Sequence, residues 1–140
     1  MNKYIYQWKT LPGIVKLFLL IYATCFLIGG LQHWVDIFNA GLFPYHSLPR
    51  LFNIFLTLLA AVDVIVSIMF FIRPIIGLSL AILIMASDLF VDFYASYFYW
   101  HITIVENKKL QLLVIFGLFV FISAPLLIRW LGNNKLKFSI

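Results

Sequence analysis

The sequence predicts an all-α integral membrane protein that folds as an antiparallel bundle of four transmembrane helices. Hydrophobic residues make up 64% of the 140-residue chain and charged residues only 11%, whereas soluble domains are about half apolar and about a quarter charged. The apolar residues form four continuous runs, each of roughly the 20 residues that a helix needs to cross a ~30 Å hydrocarbon layer. Short connections separate the runs, so residues 1–140 are predicted to form a single transmembrane domain.

The four helices are predicted at residues 13–38, 51–72, 75–100 and 110–131. The first carries no charge between residues 17 and 32, and the fourth carries none before Arg129. Arg73 and Pro74 alone join the second helix to the third, and proline suits the first turn of a helix but not its interior. This junction therefore predicts a tight helical hairpin. Membrane-spanning strands are excluded because the runs are continuously apolar rather than alternating.

Basic residues predict the orientation of the chain in the membrane. With four spans, both termini lie on the same side as Arg73, and that side carries seven basic residues: Lys3, Lys9, Lys16, Arg73, Arg129, Lys135 and Lys137. The other side carries Arg50, Lys108 and Lys109. The positive-inside rule then places both termini in the cytoplasm, and we expect a bacterial inner membrane. Because the basic residues lie at the ends of apolar runs, the net charge of +5 does not indicate a nucleic-acid partner.

Catalytic and metal-binding motifs are absent from the sequence. It has no nucleophile elbow, phosphate-binding loop or HExxH pair. The single cysteine, Cys25, cannot form an internal disulfide and is interpreted as a small core residue. His33, Asp36, His46 and His101 fall at the outer boundary, but their spacing is not typical of a metal site. A non-enzymatic role without a metal is therefore favoured over an enzymatic one.

The acidic residues are the unusual feature. Four of the five, Asp36, Asp63, Asp88 and Asp92, lie in or at the edge of a predicted span. A charged side chain at mid-bilayer costs roughly 2.5–3.5 kcal/mol on insertion scales, so these residues are candidates for function. Asp63 and Asp88 are predicted near mid-membrane, and Asp92 lies one turn nearer the outer face. Asp36 is at the outer end of the first helix, one turn after His33.

Helical spacing predicts which way these side chains face. Asp88 and Asp92 are four residues apart and share a face of the third helix. On the second helix one face collects polar and small residues: Asn53, Thr57, Ala60, Asp63 and Ser67. We expect the two faces to turn toward each other and away from lipid. Arg50 at the outer boundary is a candidate for an ion pair with Asp36 or Asp92, and no cation is predicted to reach Asp63.

Three roles are open for the carboxylates. They could be structural, with protonated Asp63 and Asp88 hydrogen-bonded across the hairpin. They could line a polar cavity, together with Asn53, that holds the hydroxyl, amine or quinone-like carbonyl of a ligand. They could also carry protons along Asp63, Asp88, Asp92, Asp36 and His33. A path of this kind would require a homo-oligomer, because four helices alone hardly form a gated pore.

Two segments resemble the DoxX-like superfamily of small four-helix bacterial membrane proteins. One is residues 27–34 (LIGGLQHW), at the end of the first helix. The other comprises residues 58–64 (LLAAVDV) and 71–77 (FIRPIIG), where an acid follows small residues and a short Arg-Pro turn leads into the third helix. Asp63 stands where these proteins often carry glutamate. The resemblance implies a four-helix membrane fold and, in some members, association with quinone or thiol redox systems. This chain lacks the cysteine pairs that thiol chemistry needs.

Three functional hypotheses follow. The first is an accessory DoxX-like protein that binds an apolar small molecule or a membrane partner subunit. The second is a redox subunit or enzyme that acts on a quinone or a lipid, with the carboxylates and His33 as acid and base groups. The third is an oligomeric proton-coupled transporter. A quinone is the one cofactor that these hypotheses admit.

Overall fold

The structure, a computed structural model, describes residue 8 and residues 11–135, with side chains to residue 133. The described residues form four long α-helices and no strand. The helices are α1 (Gly13–Ala40), α2 (Arg50–Ile72), α3 (Pro74–Ala95) and α4 (Lys108–Lys135). Each is long and apolar enough to cross a membrane, which confirms the all-helical class and the number of candidate spans. Lys3, Lys9 and Lys137, used above to predict orientation, lie outside the described residues.

The α2–α3 junction is as tight as the sequence predicts. Arg73 alone separates the two helices, and its N–H donates to the carbonyl of Met69 at 2.8 Å. Pro74 occupies the first turn of α3. Gly77 then packs against Phe70, so closely that a Cβ on residue 77 would lie 2.9 Å from the Phe70 Cδ1 and 3.0 Å from its backbone nitrogen. The hairpin therefore depends on a glycine at this position.

The third helical segment changes geometry before its predicted end at about residue 100. Regular α-helix ends at Ala95, and Ser96–Trp100 form a π-helical turn. The Ser96 carbonyl accepts the N–H of Ile102 at 3.1 Å, and His101 closes the turn with a positive φ of 51°. The wider turn ends the helix next to the loop that leads to α4.

The fourth helix begins two residues before the predicted residue 110. Asn107 is the reason, because its side-chain oxygen accepts the N–H of Leu110 at 3.1 Å, as an N-cap residue does. The amide nitrogen of Asn107 donates to the Ser96 hydroxyl at 3.3 Å. The cap therefore also ties the start of α4 to the π-helical turn at Ser96.

The helices pack around two apolar clusters. The larger one draws buried residues from all four helices, including Leu19, Phe70, Leu78 and Val120. The smaller one lies at the end of the bundle that carries the 41–49 loop, and it contains Leu48, Leu56, Leu59, Val91 and Ala95. This end of the bundle is called the loop end. Here Trp100 donates its indole N–H to the Ser47 hydroxyl at 3.2 Å.

Candidate functional site

Seven ionisable side chains interact with one another between the middle of the bundle and the loop end. This set, called the polar cluster below, consists of His33, Asp36, Tyr45, Asp63, Asp88, Asp92 and Lys109. Hydrogen bonds or electrostatic interactions connect its members. Five of the seven are residues that the sequence singles out, and the cluster adds Tyr45 and Lys109 to them.

Tyr45 bridges His33 and Asp36. Its hydroxyl donates to the Asp36 Oδ2 at 2.8 Å and lies 2.8 Å from the His33 Nδ1. Because a phenol has one hydrogen, His33 must donate its Nδ1–H to the Tyr45 oxygen, which leaves Nε2 as an acceptor. The spacing of His33 and Asp36 suggests that the two interact, and the structure shows that they do so through Tyr45.

The Tyr45 hydroxyl is held in its protonated form. Burial raises the pKa of Tyr45 well above its usual value of 10.0. The hydrogen bond to Asp36, and the negative charges of Asp36, Asp92 and Asp88, raise the pKa further. The phenol therefore remains a hydrogen-bond donor at physiological pH. In the sequence Tyr45 is marked only by its place after Pro44 in an irregular loop, which carries no chemical signal.

Asn53 fixes the position of Tyr45. Its side-chain oxygen accepts the backbone N–H of Tyr45 at 3.2 Å, and its amide nitrogen donates to the Phe43 carbonyl at 3.3 Å. Asn53 is buried at the start of α2, so the two bonds hold the 41–49 loop against that helix. The structure thus gives this predicted ligand-binding candidate a positioning role.

The polar face of α2 is largely buried, as predicted, and two of its residues contact α1. The Ser67 hydroxyl donates to the Ala23 carbonyl of α1 at 2.8 Å. Asp63 lies against Gly29 and Gly30 of α1, where an added Cβ would approach the Asp63 side chain to 3.1 and 3.2 Å. The sequence predicts that this face turns toward α3, and the structure adds these contacts with α1, where the two glycines let α2 approach closely.

Asp63 and Asp88 carry buried oxygens without a partner. In the described part of the chain, neither the Oδ1 of Asp63 nor that of Asp88 has a hydrogen-bond partner. Asp63 is only 6% exposed. The hydrogen bond across the hairpin that a structural role would require is therefore not formed by these atoms. Buried polar atoms are usually paired. These two carboxylate oxygens are therefore available to accept hydrogen bonds.

Lys109 supplies a cation that the sequence did not predict for the interior acids. It lies at the start of α4 and interacts electrostatically with His33, Asp88 and Asp92. The sequence predicts Lys109 in a loop, whereas the structure places it in the first turn of α4. Arg50, the candidate partner of Asp36 or Asp92, forms no ion pair with a carboxylate of the described residues.

A groove of about 380 Å³ meets the polar cluster at one end. It is lined by Ile28, Leu31, Gln32, Val35, Asp36 and Lys109. The groove therefore joins the outer surface of α1 to the start of α4, and it contacts the cluster at Asp36 and Lys109 rather than at Asp63. In the described residues, no three His, Cys, Asp or Glu side chains are grouped so as to hold a metal ion.

Comparison of the chain with known protein families, with curated proteins and with solved structures gives no match.

Proposed function

We propose that the chain is a DoxX-like protein of the bacterial inner membrane, with its four helices in antiparallel order and both termini in the cytoplasm. Four apolar helices support this placement, as do the large apolar side chains exposed on them. In this orientation the loop end faces the periplasm. A membrane-impermeant thiol reagent tests it on a Cys25→Ser protein that carries a new cysteine at Val105. Labelling from the periplasmic side is expected, and labelling from the cytoplasm alone would reverse the orientation.

Within that membrane protein, the polar cluster is proposed to bind a small molecule or a membrane partner without catalysing a reaction. The observation that carries this proposal is the pair of buried carboxylate oxygens, on Asp63 and Asp88, without hydrogen-bond partners. Burying an unpaired polar group costs about 1–3 kcal/mol. A ligand that donates a hydrogen bond or a positive charge to these oxygens would recover that cost.

Mass spectrometry of the gently purified protein tests this proposal. We expect a stoichiometric species that is enriched over bulk membrane lipid in the wild type and lost from the Asp63→Asn, Asp88→Asn double variant. Asparagine preserves the shape of aspartate, so the fold is retained. Glu106→Gln is the control, because it removes an exposed carboxylate that bonds to Thr103 in the 101–107 loop. If the wild-type and double-variant extracts both match bulk lipid and contain no partner protein, ligand binding at the cluster is excluded.

A proton path along Asp63, Asp88, Asp92, Asp36 and His33 is the second candidate. The electrostatic interactions of Asp88 with Asp63 and Asp92 support it, as does the Tyr45 hydroxyl that bridges Asp36 and His33. It predicts pH-driven flux in liposomes that contain an oligomer of the chain. The flux should disappear in Asp88→Asn, and a flat trace from folded wild-type protein would exclude it. Action on a quinone or a lipid stays a prediction, which the same organic extract tests.

A further inference from the structure

We infer that the groove between α1 and α4 binds a zwitterionic phospholipid whose headgroup carries a primary ammonium and a phosphate. This inference requires the membrane placement proposed above but does not require a ligand at Asp63 and Asp88. The groove is open to the surface rather than enclosed, and its volume of about 380 Å³ falls in the range of small-molecule sites, roughly 300–1,000 Å³.

One part of the groove is an apolar stripe. Ile28, Leu31 and Val35 are each more than half exposed, and their spacing places them on one face of α1. The stripe extends about 10 Å along the helix at 1.5 Å per residue. An acyl chain that lies parallel to the helix would cover these side chains.

The other part of the groove carries one charge of each sign. Asp36 comes from α1 and Lys109 from α4, and both line the groove. Among the described residues no ion pair joins them. A headgroup with a phosphate and an ammonium complements both charges at once, with the phosphate at Lys109 and the ammonium at Asp36. An anionic headgroup would satisfy Lys109 but would be repelled by Asp36.

The Asp36 carboxylate further selects the kind of ammonium. Its Oδ2 already accepts the Tyr45 hydroxyl at 2.8 Å, which orients the group, while a carboxylate offers about four lone-pair sites. A primary ammonium donates hydrogen bonds to such sites, and a quaternary ammonium has none to donate. Gln32, one turn before Asp36 on the same face of α1, adds an amide that bonds phosphate or glycerol oxygens.

Native mass spectrometry from nanodiscs tests the inference. The discs contain equal amounts of phosphatidylethanolamine, phosphatidylcholine and phosphatidylglycerol, and the lipids that remain bound to the released protein are counted. We expect bound phosphatidylethanolamine to exceed each of the other two by about threefold, in line with one exposed charge interaction. Asp36→Asn should abolish the preference over phosphatidylglycerol. Lys109→Gln should reduce retention of all three lipids.

Two matched controls separate the groove from general charge effects. Lys108→Gln removes an exposed lysine from the same turn of α4, and Glu106→Gln removes an exposed carboxylate from the neighbouring loop. Neither residue lines the groove, so both variants should keep the wild-type preference. Equal retention of the three lipids by reconstituted wild-type protein would overturn the lipid inference alone. Failure of the chain to enter the discs would overturn the membrane placement as well.

Discussion

Gly29 of α1 leaves room for the carboxylate of Asp63 on α2. A methyl group on residue 29 would lie 3.1 Å from the Asp63 Oδ2. On residue 30 it would lie 3.2 Å from the Asp63 Cβ and 3.4 Å from the Ala60 carbonyl oxygen. The two glycines therefore set how closely the helices approach around a buried carboxyl group.

The close approach of α1 and α2 predicts that Gly30→Ala destabilises the protein. The new methyl meets the backbone and the Cβ of α2, which cannot move as a side-chain tip can, so we expect a cost of about 1–3 kcal/mol. Thermal unfolding in detergent measures it. Gly13→Ala is the control, because nothing lies within 4 Å of a Cβ there. Equal unfolding midpoints for the two variants would show that α1 and α2 accept a methyl group at residue 30 without loss of stability.

The buried hydroxyl of Tyr22 should contribute to stability. Ser123 donates to the Phe119 carbonyl at 2.6 Å, so the Tyr22 hydroxyl donates to the Ser123 oxygen, which is 2.7 Å away. Tyr22→Phe removes this bond between α1 and α4, and we expect a loss of about 0.5–1.5 kcal/mol. Denaturant titration in mixed micelles measures it. Tyr97→Phe, at a side chain that is 74% exposed, should leave stability unchanged; a similar loss there would mean that the Tyr22 bond contributes nothing specific.

Tyr45 should make the protein sensitive to alkaline pH. Its pKa is raised in the folded state by burial and by Asp36, so unfolding lets the phenol ionise near its ordinary value of about 10. The stability that protonated Tyr45 contributes is fully present below that pH and is lost as the pH rises toward the folded pKa. We expect the unfolding midpoint to fall more steeply above about pH 10 in wild type than in Tyr45→Phe. Parallel curves for the two proteins would contradict the assignment.

Asn53 should control the mobility of the 41–49 loop. Its side-chain oxygen accepts the N–H of Tyr45, so Asn53→Ala should speed hydrogen exchange at the Tyr45 amide by about fivefold, as a net hydrogen bond of about 1 kcal/mol implies. Asn53→Asp keeps the acceptor and should retain most of the protection. Thr57→Val is the control, because the Thr57 hydroxyl bonds to the Asn53 carbonyl and not to the loop. Unchanged exchange in Asn53→Ala would show that other contacts hold the loop.

Hydrophobic patterning was enough to predict the four helices. The runs are so long and apolar that helix is the one regular structure that satisfies the backbone along each of them, and Pro74 marked the hairpin. The π-helical turn at Ser96–Trp100 was not predictable. No local signal in that aromatic segment distinguishes the i→i+5 hydrogen bonds of a π-helix from the i→i+4 hydrogen bonds of an α-helix.

The candidate site was predicted in part. The acids and His33 were found because charge within an apolar run is conspicuous. Tyr45 and Lys109 were missed because each lies in or next to a loop, where such residues are common. Their roles depend on which loop contacts which helix, and that is a property of the tertiary fold rather than of spacing along the chain.

The single residue between α2 and α3 also constrains how this protein can change in evolution. One inserted or deleted residue that extends or shortens a helix at Arg73 would rotate the rest of that helix by about 100°. Asp63 and Asp88 lie on opposite sides of this junction, so such a change would move one carboxyl group away from the other and out of the bundle interior. Among homologous sequences, insertions and deletions should therefore occur in the 101–107 loop and be absent from the Arg73 junction.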